Sequence, residues 1–136
     1  MIVTDERVAR FVSEKLGFGL CPPYSVVGIE VDGQIIGGVL LNFFEGADVH
    51  ISVAGRGWGR DFLRRLGEYV FDQLGCLRAT LITEQPAVIS LGKKLGGEVE
   101  GCLRNHFGTG RDGTIIGILR ENYRYGRLPE IPAPLN

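Results

Sequence analysis

The run "DVHISV", residues 48–53, alternates polar and apolar side chains. In an extended chain this puts Asp48, His50 and Ser52 on one face and Val49, Ile51 and Val53 on the other. A histidine on such a face suits proton transfer, because the ordinary imidazole pKa lies close to neutrality. Asp48 could orient His50 or accept the proton itself, and Glu84, after the run "RATLIT", is a third candidate. Without chemistry, the same histidine is a hydrogen-bonded member of a sheet. The second histidine, His106, reads as a surface residue that could touch a substrate.

Immediately downstream, Ala54, Gly55, Arg56, Gly57, Trp58, Gly59 and Arg60 lie between a strand-like and a helix-like run. The stretch matches neither the dinucleotide fingerprint, since position 60 is Arg, nor the Gly-Lys-Ser/Thr phosphate loop. Its setting still favours an anion. The amides that open a helix lack internal acceptors, the helix dipole is positive there, and glycines let a phosphate approach the backbone. Arg56 and Arg60 could add charge-assisted hydrogen bonds. A tight turn with solvated arginines explains the same residues. "GTGRDG", residues 108–113, matches G-x-G-x-x-G by letter, but a strand follows it, so it reads as a hairpin turn with Asp112-Gly113 supplying positive φ.

The elements that would position these residues follow from periodicity. Thr4, followed by Asp5 and Glu6, predicts a helix start, and Val8, Phe11, Val12 and Leu16 form one face up to Gly17. "SVVGIEV", "IIGGVLLNFF" and "DVHISV" predict three strands joined at Asp-Gly and Glu-Gly, the middle one apolar on both faces and therefore central in a sheet. Phe62, Leu66, Tyr69, Val70 and Leu74 predict a helix over 58–74, stopped by Gly75. "RATLIT" is then a strand parallel to the one before that helix, reached by a right-handed crossover. Pro86 opens another helix, with Val88, Leu91 and Leu95 facing inward, and a terminal hairpin follows.

Composition excludes several functions. The 136 residues suit one domain, 1–136, with 125–136 a proline-rich tail. No apolar run is long enough for a membrane span. The amino terminus lacks a secretion-signal layout, so a cytoplasmic protein is expected. With 15 basic and 16 acidic residues there is no long-range attraction to nucleic acid. Cys21, Cys76 and Cys102 form no C-x-x-C pair, which points to reduced, mostly buried thiols and no metal.

Over residues 25–124 the order of elements resembles the GNAT acyltransferases, which move an acyl group, usually acetyl, from coenzyme A to an amine. The pattern is sharpest in Phe71, Leu74-Gly75, Arg78, Gln85, Lys94-Leu95-Gly96, Glu100-Gly101 and Arg104, which is similar to the branch holding ribosomal-protein N-terminal acetyltransferases and phage members. Gly57 and Gly59 match the family's pyrophosphate loop. Ala54, Gln85, Gly92 and Gly97 stand where relatives carry Gln or Arg, Asn, a thiolate-protonating Tyr, and Phe.

The resemblance implies an α/β (α+β) single domain with a mixed, mostly antiparallel sheet, a splayed parallel pair, and helices on both faces. It assigns Ile51, Ser52 and Val53 to the pantetheine arm of acetyl-CoA and residues 54–60 to its pyrophosphate, with Gln85 also at the cofactor, and it leaves His50, Asp48 and Glu84, read from the residues, as the candidates for proton transfer. The acceptor would be a small-molecule or peptide amine. The Gly-Gly turns and the tail could serve a homodimer. The departures keep a second reading open, a GNAT-shaped binding or assembly protein without catalysis. A third, nucleic-acid binding through Arg56, Arg60, Arg64 and Arg65, competes with a solvated cationic stripe.

Overall fold

A two-residue strand, β1 (Ile2–Val3), precedes the first helix, α1 (Glu6–Leu16). Asp5 rather than Thr4 caps α1, its carboxylate accepting the Arg7 amide proton at 3.0 Å. The same carboxylate takes the Arg7 guanidinium at 2.9 Å, an interaction a threonine cannot supply. Gly17 ends the helix at φ 72°. This computed structural model describes residues 1–126, so the expected tail lies, from residue 127 onward, outside the described residues.

Three antiparallel strands follow: β2 (Tyr24–Val31), β3 (Gln34–Asn42) and β4 (Asp48–Gly55). Asp32 and Gly33, at φ 50° and 77°, form the expected tight turn. Next come α2 (Arg60–Gly67), its π-helical continuation (Glu68–Gln73), and β5 (Arg78–Thr83). The expected single helix over 58–74 thus starts later and changes pitch. The π stretch begins where the Tyr123 ring lies against Gly67 and its hydroxyl donates to the Leu63 carbonyl. Helix α3 (Pro86–Lys94) and the hairpin β6 (Glu98–Leu103) and β7 (Gly113–Leu119) complete the described chain.

All seven strands join one sheet in the order β1-β2-β3-β4-β5-β7-β6. Among the described residues only β4 and β5 run parallel, as expected for the crossover through α2. One face carries Val39, Leu41, Val49, Ile51, Leu81 and Ile116 under α2 and α3. The other carries Leu40 and Ala54 under Val8 and Val12 of α1. Helix α1 spans β2, β3 and β4, and the same face of β5, β7 and β6 bears no helix among the described residues.

Three expectations change. Gly37 and Gly38 are inside β3, not in a turn. Cys76 is buried, but Cys21 and Cys102 are exposed because they sit in a loop and on an edge strand. Between β6 and β7 the positive φ angles belong to Asn105, Gly108 and Gly110, since Gly113 already starts β7. No helix among the described residues is long and apolar enough to cross a membrane.

Candidate active site

The parallel pair is incomplete. Its ladder runs from Asp48↔Arg78 to Ile51↔Leu81 and stops, although β4 continues to Gly55 and β5 to Thr83. Beyond Ile51, β4 remains paired to β3 through Gly37↔Gly55. Residues Ser52 to Gly55 therefore have a ladder on one side only, and the side toward β5 is an open strand edge. On the α2 and α3 side of the divergence, Ile51, Val53, Trp58, Leu81, Leu91 and Leu95 border a cavity of about 10 Å³.

The loop after β4 is shaped by close backbone approach. Gly55 and Gly57 have φ 87° and 102°, conformations open to glycine at little cost. Gly37 has no Cβ, and the Arg56 backbone occupies the space one would need. The Arg56 amide donates to the Ile36 carbonyl at 3.0 Å, and the Gly59 amide to Gly57 at 2.8 Å. Those two donors are committed within the protein. In contrast, the amides of Gly57, Trp58, Arg60, Asp61 and Phe62 have no acceptor among the described residues. Five such donors at the start of a helix are open to an external acceptor.

Side chains sort differently. Trp58 turns inward, its ring 5.4 Å from Phe62, so it anchors the loop and offers outward only its amide. Arg56 and Arg60 are exposed and have no acidic partner among the described residues. Arg64 is held by Asp61 at 2.6 Å and Glu68 at 2.8 Å, which neutralises the middle of the expected cationic stripe. Gln85 precedes α3. Its amide donates to Thr83 Oγ1 at 3.0 Å, and its carbonyl accepts from Val88 and Ile89.

On the opposite face the alternation of β4 appears as expected, with Val49, Ile51 and Val53 buried and Asp48, His50 and Ser52 half-buried. Asp48 accepts a hydrogen bond from Thr80 Oγ1 at 2.8 Å and lies 3.7 Å from Arg78 Nε. Arg78 also donates to Thr80 Oγ1 at 3.2 Å and pairs with Glu100 at 2.5 Å. The Glu100 pairing keeps the guanidinium pKa raised. His50 Nε2 is 4.0 Å from Asp48 Oδ2, and its ring meets Phe43 edge-on at 5.5 Å. Both contacts turn His50 toward the paired end of the ladder.

Glu84 stands apart from Asp48 and His50. Arg111 grips its carboxylate, one nitrogen at 3.0 Å and a second closer still, and holds its pKa below the ordinary carboxylate value. Sequence reasoning missed Thr80, Glu100 and Phe43 as neighbours of the cluster. The parallel register carries that information: pairing Asp48 with Arg78 and His50 with Thr80 predicts one shared face.

Gly92 and Gly97 both pack closely against Ile116. A Cβ on Gly92 would stand 3.0 Å from Ile116 Cδ1, and one on Gly97 would stand 2.8 Å from the Gly92 carbonyl oxygen, Ile116 and Ile118. At Gly92 the contacting atoms are the flexible end of Ile116, which would have to give by a few tenths of an ångström for a Cβ. The described tyrosines are engaged elsewhere: Tyr24 with Glu6, Tyr69 with Ser25, Tyr123 with Leu63, and Tyr125 beside Tyr123.

No family model and no curated protein sequence matches this chain. Solved structures do. A mutant form of the spermidine/spermine N-acetyltransferase SpeG from Vibrio cholerae aligns at TM-score 0.69 and 17% identity, over 90% of this chain and 96% of that one. Its manganese complex aligns at TM-score 0.68 and 18% identity, over 89% and 92%. A chimera of that enzyme with hSSAT aligns at TM-score 0.61 and 22% identity, over 74% and 70%. At such identity the likeness is one of architecture: a seven-stranded, mostly antiparallel sheet with one parallel pair and three helices, the GNAT fold.

Proposed function

We propose that the chain is an acetyl-CoA-dependent N-acetyltransferase acting on a primary amine, and that it works in the cytoplasm. The observation that carries this reading is the coincidence of two features. An open strand edge at Ser52 to Gly55 adjoins a helix start with five unpaired amides. A pantetheine arm carries amides that can extend a ladder, and a diphosphate suits helix-opening N–H groups. Ser52 and Val53 would pair with the arm, whereas Ile51, expected to do so, is already laddered to Leu81. The amides of Gly57, Trp58, Arg60, Asp61 and Phe62 would hold the diphosphate, with Arg56 and Arg60 adding charge. Within the superfamily, the run from Phe71 to Arg104 favours the ribosomal-protein and phage branch.

Direct transfer asks for a neutral amine beside the thioester carbonyl and a path for its proton. Asp48 and His50 lie upstream on the face that α1 leaves open beyond β4, and they are candidates for taking the proton of an amine approaching there. Glu84 suits that role less well, because Arg111 occupies its carboxylate. The solved neighbours named for spermidine acetylation support an amine acceptor, and one of them is described as a dodecamer, which supports self-association.

The packing of Ile116 at Gly92 favours a second reading, a coenzyme A-binding protein that has lost turnover. One experiment separates the two. Acetyl-CoA is supplied with a panel of peptide amino termini, lysine peptides and spermidine, while thiol release and calorimetric binding are followed. Acceptor-dependent release is the expected outcome. Binding without release selects the second reading, and absence of both binding and a melting shift removes the two together.

A further inference from the structure

The proton path assigned above makes no use of His106 or of the glycine-rich run 108–113. The segment between β6 and β7 is tightly determined. Asn105 N donates to Asp112 Oδ1 at 2.8 Å, Gly110 N to Asn105 Oδ1 at 2.8 Å, and Phe107 N to the Arg111 carbonyl at 3.0 Å. Arg111 then fastens this loop to Glu84, the residue after β5. The turn lies at the surface with His106 exposed, and these bonds order the backbone on either side of it; the His106 ring meets Phe107 edge-on at 4.8 Å.

His106 is seated on Gly113. A Cβ there would stand 3.2 Å from His106 Cβ, 3.3 Å from its Cδ2 and 2.7 Å from Ile82 Cγ2, so the missing side chain leaves room for the imidazole beside Ile82. Ile82 shares a face with Thr80, hence with Asp48, and it is the first residue of β5 beyond the last parallel pair. It lies about 7 Å further along the strand than Thr80. His50 leans to Phe43 and Asp48, toward the paired end. His106 stands beside Ile82, past the last parallel pair.

We infer that His106 is a catalytic proton acceptor for the attacking amine, an inference that rests on the acetyl-transfer reading. The ammonium of the acceptor gives one proton to the imidazole of His106, and the freed lone pair attacks the thioester carbonyl carbon. The N–C bond forms, the C–S bond breaks, the remaining excess proton on nitrogen passes to solvent, and the thiolate takes a proton from solvent. The charged groups around His106 are Arg104, Arg111 and Asp112 of its own loop and Glu84 at the end of β5. Glu84 and Arg111 satisfy each other, and Asp112 accepts from Asn105. From β5 and β7 the neighbours are Ile82 and Gly113, which carry no charge, and Asp48 and Arg78 lie further along the face.

The chain has two histidines, so the proton NMR signals of both imidazoles can be assigned with His50→Gln and His106→Gln. Saturating acetyl-CoA should move the His106 signal. With an amine that supports thiol release, His106→Gln should lower kcat/KM about 100-fold, abolish the acid limb of its pH profile, and leave acetyl-CoA affinity within about 3-fold. The inference is overturned if bound acetyl-CoA leaves the His106 signal in place. It is equally overturned if His106→Gln keeps the wild-type pH profile while His50→Gln loses it, or if it lowers the rate without altering that profile. A wild-type chain that binds no acetyl-CoA by calorimetry fails at the earlier step and removes the transfer reading itself.

Discussion

Reversing the charge of Arg56 and Arg60 tests the anion site at its strongest point. Both side chains are exposed and free of acidic partners among the described residues, so Arg56→Glu/Arg60→Glu removes no ion pair from the unliganded protein. Its folding stability should stay within about 0.5 kcal/mol. Against a diphosphate at contact distance the change is larger. One unit pair about 4 Å apart in water is worth about 1 kcal/mol, and reversal turns attraction into repulsion, or about 2 kcal/mol per arginine before screening. With partial screening the double variant should lose about 2 to 4 kcal/mol, roughly 30- to 1000-fold in Kd. At a concentration of about 100 times the wild-type Kd, acetyl-CoA adds about 2.7 kcal/mol of stability, a melting shift on the order of 10 °C for a chain of this length. The same concentration should shift the variant by about 3 °C or less. Arg65→Glu, a turn into the helix, is the control and should bind like wild type. Calorimetry in low salt gives the primary number, and 1 M salt should bring wild type toward the variant. A double variant that binds within 3-fold of wild type refutes the placement of the diphosphate at this loop.

Two further outcomes probe the frame around the site. The Glu84 pKa is depressed by Arg111 in the folded chain, so the pair contributes stability above the unfolded carboxylate pKa of 4.5 and loses it as pH falls through the lower folded value. Arg111→Met should therefore melt below wild type at pH 7 and converge with it in acid. Parallel curves at all pH values would contradict this. Gly97→Ala should cost about 1 to 3 kcal/mol in urea unfolding, because its Cβ would sit 2.8 Å from a backbone oxygen, whereas Gly101→Ala, with Ile115 at 3.6 Å, should be near neutral. Equal effects at the two positions would mean that the packing at Gly97 is looser than described.

Much of this fold is legible because local signals agree with tertiary context. Alternation in β4 survives because one side meets α2 and α3 while the other is half open, so burial follows parity. The stops at Gly17 and Gly75 and the turn at Asp32-Gly33 rest on positive φ, a property of single residues. The π-helical stretch was not legible, since its cause is Tyr123, which arrives from more than fifty residues away. Helix phase in 58–74 looks regular from within. The strand β1 escapes notice because two residues carry no periodicity; its pairing to Gly28 and Ile29 is set by the sheet. At the site, parity puts His50 on one face with Asp48 and Ser52 but does not set the direction of its ring, which lies toward Phe43 and Asp48. His106 is exposed, as its reading as a surface residue expects; what the sequence does not show is the order of its turn, which rests on bonds among Asn105, Gly110 and Asp112.

The absence of a side chain at position 92 bears on which half of the chemistry the chain can do without. A thiolate leaving group has a conjugate acid with a pKa near 8.5, so near neutrality it can depart and be protonated by water at modest cost. An aliphatic ammonium with a pKa near 10 is almost entirely unable to attack until a base removes its proton. Losing the acid is therefore the smaller loss, and Ile116 at Gly92 can be accommodated in a working transferase if the acceptor side holds a base. That asymmetry gives a measurable form to the difference between the two readings. A chain that keeps acceptor-side proton transfer should show a rate that rises with pH through the range of a histidine and gains little from exogenous acid. A chain that only binds coenzyme A should release thiol no faster than the uncatalysed amine at every pH.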